Sequence, residues 1–314
     1  MKIAVVHGGF SEEANYSTEN AICVNEALKR LNYDSYLLEY DLNIFENLKE
    51  QKPDMVFLCV QGKYHGDGTF QGILQLLGIP FTGSKMERAA IINDKVICQT
   101  IFADNKLPVS KHFNLRKEEY EADNGLAMFK QKMAENNIDF PVVSKNPSQG
   151  ACIGIHYIAN EDRYEAVGRS FINDEEILIE EFAKGFSVTV ALLEKEGKWM
   201  AFPPIAADYI LPSDDKTEYM ITNDYHRAPM SEAAEKKIKE TAIEAAKVIG
   251  AKDYCRVDFQ YNPEDESFVL FEVNAVPGLR TISYYPAAVK EGGMSYDELI
   301  KTIVDNCLKE GKYV

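Results

Sequence analysis

Residues 254–278 read YCRVDFQYNPEDESFVLFEVNAVPG, and this stretch predicts a hairpin of two buried strands. The strands, Tyr254–Tyr261 and Phe268–Asn274, flank a short polar segment that contains asparagine, proline and acidic residues, which is typical of a hairpin connection. Aliphatic and aromatic side chains separate the polar ones in both strands. The hairpin is therefore expected to lie in a sheet that is covered on its apolar side.

The polar side chains of this hairpin indicate a site for a hard metal ion. Alternate side chains of a strand point the same way, so Arg256 shares a face with Asp258, and Glu272 shares one with Asn274. If the strands pair in register, two carboxylates and an amide converge, which suits Mg²⁺. The alternative is an edge hairpin with solvated acids. The Pro277-Gly278 turn that follows favours the site, because a glycine amide can approach a substrate closely.

Outside the hairpin the chain alternates between strand and helix patterns, which predicts an α/β fold with mixed sheets. The first 85 residues form a βαβ series that predicts a small parallel sheet, residues 86–180 a middle domain, and residues 181–314 a last domain. Further strands are predicted at 2–6, 34–39, 55–60, 141–145, 153–158, 176–181, 187–193 and 200–203. Helices are predicted at 17–31, 69–77, 86–104, 161–170, 231–249 and 296–308, and residues 209–225 show little periodicity.

Composition limits the classes of function. The net charge of −16 argues against a nucleic-acid-binding surface, which would need a basic stripe. No apolar run reaches the ~18 residues that span a bilayer, and the N-terminal residues lack the pattern of a signal peptide. We therefore expect a cytoplasmic protein with no membrane partner. The six cysteines are far apart and show no zinc-ligand spacing.

Three glycine-containing segments are candidates for ligand-binding loops. Lys145 is followed by Ser148–Gly154, a loop that could hold phosphate oxygens or be an ordinary turn. The segments Gly8–Glu13 and Gly62–Gly68 each follow a strand of the predicted parallel sheet, where ligands commonly bind. The chain contains neither GxxxxGK[ST] nor GxGxxG, so a Walker loop and a nicotinamide cofactor are disfavoured.

These segments occur in the order, and near the spacing, of a known family. The chain resembles the D-alanine–D-alanine ligases of the ATP-grasp superfamily, and the resemblance covers essentially its full length. The matching stretches are HGGFSEEANYS (7–17), GDGTFQGILQLLGIPFTGS (66–84), NDK (93–95), FPVVSK (140–145), ILIEEF (177–182), CRVDF (255–259) and FEVNAVPGL (271–279).

The resemblance implies an ATP-grasp fold of three domains, with ATP bound between the second and third. It implies a ligase that joins the carboxylate of one amino acid to the amine of another through an acyl-phosphate, in peptidoglycan (cell-wall) biosynthesis. ATP and two Mg²⁺ ions are the expected cofactors, with Mn²⁺ as an alternative metal. Family members are often homodimers, so a homodimer is also expected by analogy.

The resemblance also implies roles for individual residues. For the nucleotide, these are the phosphate-binding Lys95 and Lys145, the phosphate loop with Gly150, Ala151 and Cys152, and the adenine hinge at Glu180, Glu181 and Phe182. The expected metal ligands are Asp258, Glu272 and Asn274, of which Glu272 also faces the nucleotide. For the amino acids, these are Glu13 for the first ammonium group, Arg256 and the Gly278 amide for the oxyanion, Ser283 for the second carboxylate, and Tyr219 on a loop over the site.

Several positions depart from the family pattern, mostly around the amino-acid pockets. Ala151-Cys152 replaces two serines of the phosphate loop, Gln61-Gly62 replaces His-Gly, and Ser187 replaces the acid that accepts the ribose hydroxyl. Arg280 replaces a common threonine and could accept a larger or acidic substrate, or be simply solvated. Three alternatives follow: a D-alanine–D-alanine ligase, a related amino-acid or dipeptide ligase of other specificity, and a catalytically inactive nucleotide-binding homologue.

Overall fold

The computed structural model describes residues 1–11, 13–150, 152–210 and 220–310. Within these residues the strands form three sheets, which follow one another along the chain. Two residues expected in the site, Ala151 and Tyr219, lie outside the described residues, as does most of the stretch between 209 and 220. No helix in the described part of the chain is long and apolar enough to cross a membrane.

The first sheet is parallel, as predicted, with the strand order β2-β1-β3. Its central strand is completely buried from Ile3 to Val6, because helices cover both faces of a parallel sheet. Its strands are β1 (Lys2–Gly8), β2 (Asp34–Tyr40) and β3 (Met55–Leu58), and its helices are α1 (Ala14–Arg30), α2 (Ile44–Gln51) and α3 (Thr69–Leu76). The short helix α2 was not predicted.

The second sheet is antiparallel, with the order β4-β7-β5-β6. The helical pattern over residues 86–104 is two helices, because Asp94 has an extended backbone and its side chain caps the second one. Residues 161–170 form a 3₁₀ helix instead of the predicted α-helix. The elements are α4 (Met86–Asn93), α5 (Lys95–Asp104), β4 (His112–Arg116), α6 (Lys117–Tyr120), α7 (Gly125–Glu135), β5 (Val142–Lys145), β6 (Ile155–Ile158) and β7 (Glu176–Glu181).

The third sheet contains the hairpin and has the order β11-β10-β8-β12-β13, with β9 also paired to β8. The hairpin strands β12 and β13 have the predicted bounds, and β13 is an edge strand. The other elements are β8 (Phe186–Lys195), β9 (Lys198–Ala201), β10 (Ile205–Ile210), β11 (Met220–Arg227), α8 (Glu232–Ile249), β12 (Tyr254–Tyr261), β13 (Phe268–Asn274), α9 (Tyr284–Glu291) and α10 (Tyr296–Glu310).

One apolar core joins the first and third sheets. It packs Ile3 and Phe57 of the parallel sheet and Leu28 of α1 together with Leu193 of β8 and Ile300 of α10. This packing turns the carboxyl ends of β1 and β3 toward the face of the third sheet that carries the hairpin acids. The loops after these two strands therefore border the same cavity as β12 and β13.

Candidate active site

The hairpin register brings the four predicted polar residues together. Arg256 lies opposite Asn274, and Asp258 lies opposite Glu272, in an antiparallel pair. Because alternate residues share a face, all four side chains line the same cavity. The alternative of solvated acids is wrong for Asp258, which is 8% exposed, and the Glu272 carboxylate, which is 30% exposed, is ion-paired with Lys95.

Both carboxylate oxygens of Asp258 accept hydrogen bonds. Arg256 donates from Nε to Oδ1 at 2.9 Å and from Nη2 to Oδ2 at 2.6 Å, and Asn274 Nδ2 donates to Oδ2 at 3.0 Å. The Thr189 hydroxyl of β8 donates to Oδ1 from the neighbouring strand. Asp258 is therefore held in one position by groups on three strands.

Glu272 is surrounded by cations. The Nζ atom of Lys95, the first residue of α5, lies 3.3 Å from Glu272 Oε2. Burial on its own would raise the pKa of Glu272, but Lys95, Arg256 and Lys145 outweigh it and lower the pKa below its usual range. Glu272 is thus ionised at neutral pH, as a metal ligand must be.

Lys145 ends strand β5 and is almost fully buried. Its ammonium group is ion-paired with Glu180 of the neighbouring strand β7 and lies 4.0 Å from the ring centroid of Phe271. One carboxylate oxygen of Glu180, Oε1, is buried without a hydrogen-bond partner among the described atoms. Because an unpaired buried acceptor is costly, this oxygen is ready to accept a donor from a bound molecule.

The loop between β5 and β6 is built on Asn146. The side-chain oxygen of Asn146 accepts from the backbone N–H groups of Ser148 and Gln149, each at 3.0 Å. The Gln149 carbonyl in turn accepts from Lys95 Nζ at 2.8 Å, which joins the loop to α5. Cys152 has a left-handed backbone with φ of 62°, and burial raises the pKa of its thiol to about 11, so it is an uncharged thiol.

Glu13 lies between two loops, at the N-terminal end of α1. A methyl group added at Gly150 would lie 2.5 Å from Glu13 Oε1, and one added at Gly62 would lie 3.0 Å from Oε2. Only glycine allows this close packing. Burial raises the pKa of Glu13 above its usual range, Lys95 lowers it, and the nearby Glu272 raises it further.

Beyond the end of β13, Gly278 is followed by a segment that is hydrogen-bonded to α1. Asn20 Oδ1 accepts from the backbone N–H groups of Leu279 at 2.8 Å and Arg280 at 2.9 Å. Ser283 lies close to Gly278 and directly precedes α9. The Arg280 side chain binds Glu19 Oε2 at 2.7 Å, so its charge is already paired and it is not a simple solvated arginine.

Sequence reasoning missed Thr189 and Asn20, and it noted Gln61 only as a departure from the family pattern. Thr189 lies between two valines in β8, and polar residues at every second position of this apolar strand could have indicated that Thr189 faces the site. Asn20 and Ser17 are both buried on α1, and Ser17 Oγ accepts from the Gly8 N–H. Gln61 Nε2 donates to the Val276 carbonyl at 2.7 Å, a long-range contact that no local pattern predicts.

One cavity of about 650 Å³ connects these groups, which is large enough for a nucleotide and two small molecules. Of the residues predicted for the site, it is lined by Glu13, Lys95, Lys145, Gly150, Cys152, Glu180, Glu181, Phe182, Ser187, Arg256, Asp258, Glu272, Asn274, Gly278, Arg280 and Ser283. In a chain of net charge −16, four cations line this cavity, and each is paired with one acid. The pairs are Lys95 with Glu272, Lys145 with Glu180, Arg256 with Asp258 and Arg280 with Glu19.

Such an arrangement can bind a polyphosphate and stabilise developing negative charge. Buried ammonium and guanidinium groups attract phosphoryl oxygens strongly because water does not screen them. The cavity therefore suits transfer of a phosphoryl group, and the Glu13 carboxylate beside it could hold an ammonium group of a substrate.

Comparison with known proteins gives the same picture. Residues 101–305 match the family model described as the D-ala D-ala ligase C-terminus. A D-alanine–D-alanine ligase of Pelotomaculum thermopropionicum is 31% identical over 311 residues, which is 97% of this chain and 96% of the relative. One from Halalkalibacterium halodurans is also 31% identical, over 99% of this chain and 100% of the relative.

Solved structures agree with the fold. The D-alanine–D-alanine ligase of Bacillus anthracis superposes with a TM-score of 0.84 at 25% identity, covering 99% of this chain and 98% of that one. A structure of the same organism's enzyme complexed with ATP has a TM-score of 0.79 at 24% identity, with the same coverage. The chain thus belongs to the D-alanine–D-alanine ligase family, and it is an ATP-dependent carboxylate–amine ligase with the ATP-grasp fold.

Proposed function

We propose that this enzyme joins two molecules of D-alanine, with the conversion of ATP to ADP and phosphate. The observation that carries the proposal is that one cavity is lined by the Glu13 carboxylate, by the cations Lys95, Lys145 and Arg256, and by the oxygen ligands of the hairpin. Glu13 is the anion beside the loops after β1 and β3, and Lys95 with Lys145 are the cations beside the phosphate loop.

The residues of the hairpin fit a divalent metal ion. Asp258, Glu272 and Asn274 would hold Mg²⁺, or Mn²⁺ in its place, with two ions expected. The Asn274 amide nitrogen lies 3.0 Å from an Asp258 oxygen and 3.5 Å from a Glu272 oxygen, so the three groups are close enough to share a cation. Rotation of the Asn274 amide would present its oxygen to the cation. When bound, the metal would neutralise charge on the phosphate oxygens.

The first half-reaction activates a carboxyl group. Glu13 holds the ammonium of the first D-alanine while one oxygen of its carboxylate attacks the γ-phosphorus of ATP. The bond from this phosphorus to the bridging oxygen of ADP breaks, and ADP leaves. Lys95 and Lys145 orient the phosphates, and Glu180, Glu181 and Phe182 border the adenine.

The second half-reaction forms the amide bond. The amine of the second D-alanine attacks the acyl carbon, and phosphate leaves with the carboxyl oxygen that it received. Arg256 and the Gly278 N–H stabilise the oxyanion that develops, and Ser283 binds the carboxylate of the second substrate. Tyr219 belongs to the segment that we propose covers the site against water, since an acyl-phosphate hydrolyses when water enters.

A ligase with another second amino acid is the alternative, because Arg280 stands at the acceptor end where the family commonly has threonine. The acceptor end carries Arg280, which stacks over Tyr16 at 5.0 Å and is paired with Glu19. Because this pairing already neutralises the arginine, we expect a neutral second substrate rather than an acidic one.

The proposal is tested by measuring phosphate release from ATP and Mg²⁺ with a panel of D- and L-amino acids, alone and in pairs. Release with D-alanine alone, together with D-alanyl-D-alanine in the mass spectrum, supports the proposal. A mixed product from D-alanine and a second amino acid would replace it by the alternative. Binding of ATP with no release for any amino acid would indicate an inactive homologue.

A further inference from the structure

The loop after β3 contacts the middle sheet through one lysine. Lys63 Nζ donates to the Asn173 carbonyl at 3.0 Å and lies 3.3 Å from Asp174 Oδ1. Both charged side chains are largely buried, with 24% and 19% of their surface exposed. A salt bridge of this kind is stronger than one at the open surface, because solvent screens it less.

Asp174 connects this lysine to the phosphate loop. Its second oxygen, Oδ2, accepts from the Ser148 hydroxyl at 2.6 Å, so one carboxylate binds the two loops at once. Residues 170–172, which precede Asp174, also support the loop, because Asn146 Nδ2 donates to the Ser170 and Ile172 carbonyls at 2.9 and 3.0 Å. The first half of the phosphate loop therefore rests on residues 170–174.

A displacement of Ser148 would also move the next two residues, which contact groups of the proposed reaction. The next residue, Gln149, accepts from Lys95 Nζ, and Gly150 packs against the Glu13 carboxylate. The following residue is alanine, whose side chain has no polar atom with which to hold the loop. The contact from Lys63 through Asp174 to Ser148 is thus a means of keeping the loop closed that does not depend on residue 151.

We propose that Lys63 is a positioning residue that, through Asp174, holds the phosphate loop against the loop after β3 while the acyl-phosphate exists. This inference rests on the proposed function, in which the acyl-phosphate must be kept from water. Attack of water on the acyl-phosphate breaks the bond between the acyl carbon and the bridging oxygen, and returns the amino acid and phosphate. A loosened loop therefore raises the phosphate released per dipeptide without stopping the first half-reaction.

The test compares Lys63→Met with Lys63→Arg, which keeps the charge. Loss of the Lys63–Asp174 contact is expected to raise the open population of the phosphate loop about fivefold. Lys63→Met should raise the excess of released phosphate over dipeptide about fivefold, and Lys63→Arg should keep that excess near the wild-type value. The control is Lys130→Met, which removes a lysine that is ion-paired with Glu161 at 2.6 Å and does not contact the loop.

Hydrogen exchange tests the same contact without catalysis. In the nucleotide-free full-length protein, Lys63→Met should speed exchange of the backbone amides at 148–150 and 152–154 about fivefold, while the strand Glu176–Glu181 keeps its protection. Asp174→Asn should have a similar effect, and adding Lys63→Met to it should change little further.

The outcomes separate this inference from the proposed function. If the wild-type enzyme forms no dipeptide, the proposed function fails, and the exchange measurement still decides whether Lys63 positions the loop. Unchanged loop exchange in both Lys63→Met and Asp174→Asn would overturn the inference. So would equal phosphate-to-dipeptide ratios in Lys63→Met and Lys130→Met.

Discussion

Replacement of Asn20 by alanine should loosen the segment that follows the Gly278 turn. Asn20 is 2% exposed, and its side-chain oxygen accepts from two consecutive backbone N–H groups, those of Leu279 and Arg280. Alanine leaves both donors without a partner in a region that water reaches poorly. An orphaned buried donor costs about 1–3 kcal/mol, so the two together cost about 2–5 kcal/mol.

The consequence is measurable at the two amides themselves. A loss of about 3 kcal/mol in local stability corresponds to roughly a hundredfold faster hydrogen exchange at Leu279 and Arg280. The neighbouring Gly278 amide is expected to lose its position, so kcat for ligation should fall although ATP still binds. Asn20→Asp keeps an acceptor oxygen in place and is the matched control.

Exchange at these amides should be followed by mass spectrometry, with ATP affinity measured by calorimetry. Protection of Leu279 and Arg280 that is equal in the wild type and in Asn20→Ala would refute the reasoning, because the two bonds would then contribute nothing. Equal exchange in Asn20→Ala and Asn20→Asp would refute the part assigned to the acceptor oxygen.

Three further predictions concern single side chains. Burial raises the pKa of Glu13, so the apparent pKa of the acid limb of kcat/KM for the first amino acid should lie above the usual range of glutamate. Glu13→Gln should raise KM for that substrate at every pH, and an unchanged KM would contradict this. Thr189→Val removes a hydrogen bond to Asp258 and should weaken the apparent Mg²⁺ affinity about tenfold in titrations of activity, whereas Thr189→Ser should retain it. Burial tends to raise the pKa of Glu119, but its hydrogen bonds, chiefly that from Lys132, lower this pKa overall. The ionised Glu119 therefore stabilises the fold above its ordinary pKa, and this stability is lost as pH falls through the lowered pKa. Urea unfolding at pH 7 and pH 3.5 should show a smaller acid-induced loss of stability for Glu119→Gln than for the wild type, and equal losses would disprove the prediction.

Elements with a clear periodic pattern were predictable from the sequence. The bounds of Tyr254–Tyr261, Phe268–Asn274 and Glu176–Glu181 agree with the structure, because short apolar runs or apolar–polar alternation mark these strands. The central parallel strands were equally clear as short apolar runs. The overall class and the order of the sheets could therefore be read from local pattern together with the resemblance.

Elements stabilised mainly by tertiary contacts were not predictable in the same way. The strand His112–Arg116 has few apolar residues and forms because it pairs with β7. Residues 161–170 contain helix-forming side chains, but they adopt a 3₁₀ helix whose buried residues are only Ala166, Val167 and Ser170. The break at Asp94 follows from its capping bond to the Ile97 N–H, which a periodic pattern does not reveal.

The same division applies to the site. The hairpin acids were found because strand alternation places them on one face, which depends only on local geometry. Asn20 was missed, and the contact of Gln61 was not predicted, because their partners are 259 and 215 residues away in the chain. Lys63 was noted as part of a loop, but its contact with Asp174 depends on how the first and middle units pack.

The central claim is that a carboxylate of the first amino acid is activated as an acyl-phosphate in the cavity between Lys95, Lys145 and the hairpin acids. It is tested most directly with D-alanine labelled with ¹⁸O in its carboxyl group, ATP and Mg²⁺, and mass analysis of the phosphate released. Because the attacking carboxylate oxygen leaves with the phosphoryl group, we predict one ¹⁸O atom in each phosphate that accompanies a dipeptide. Phosphate that carries no ¹⁸O would contradict the account.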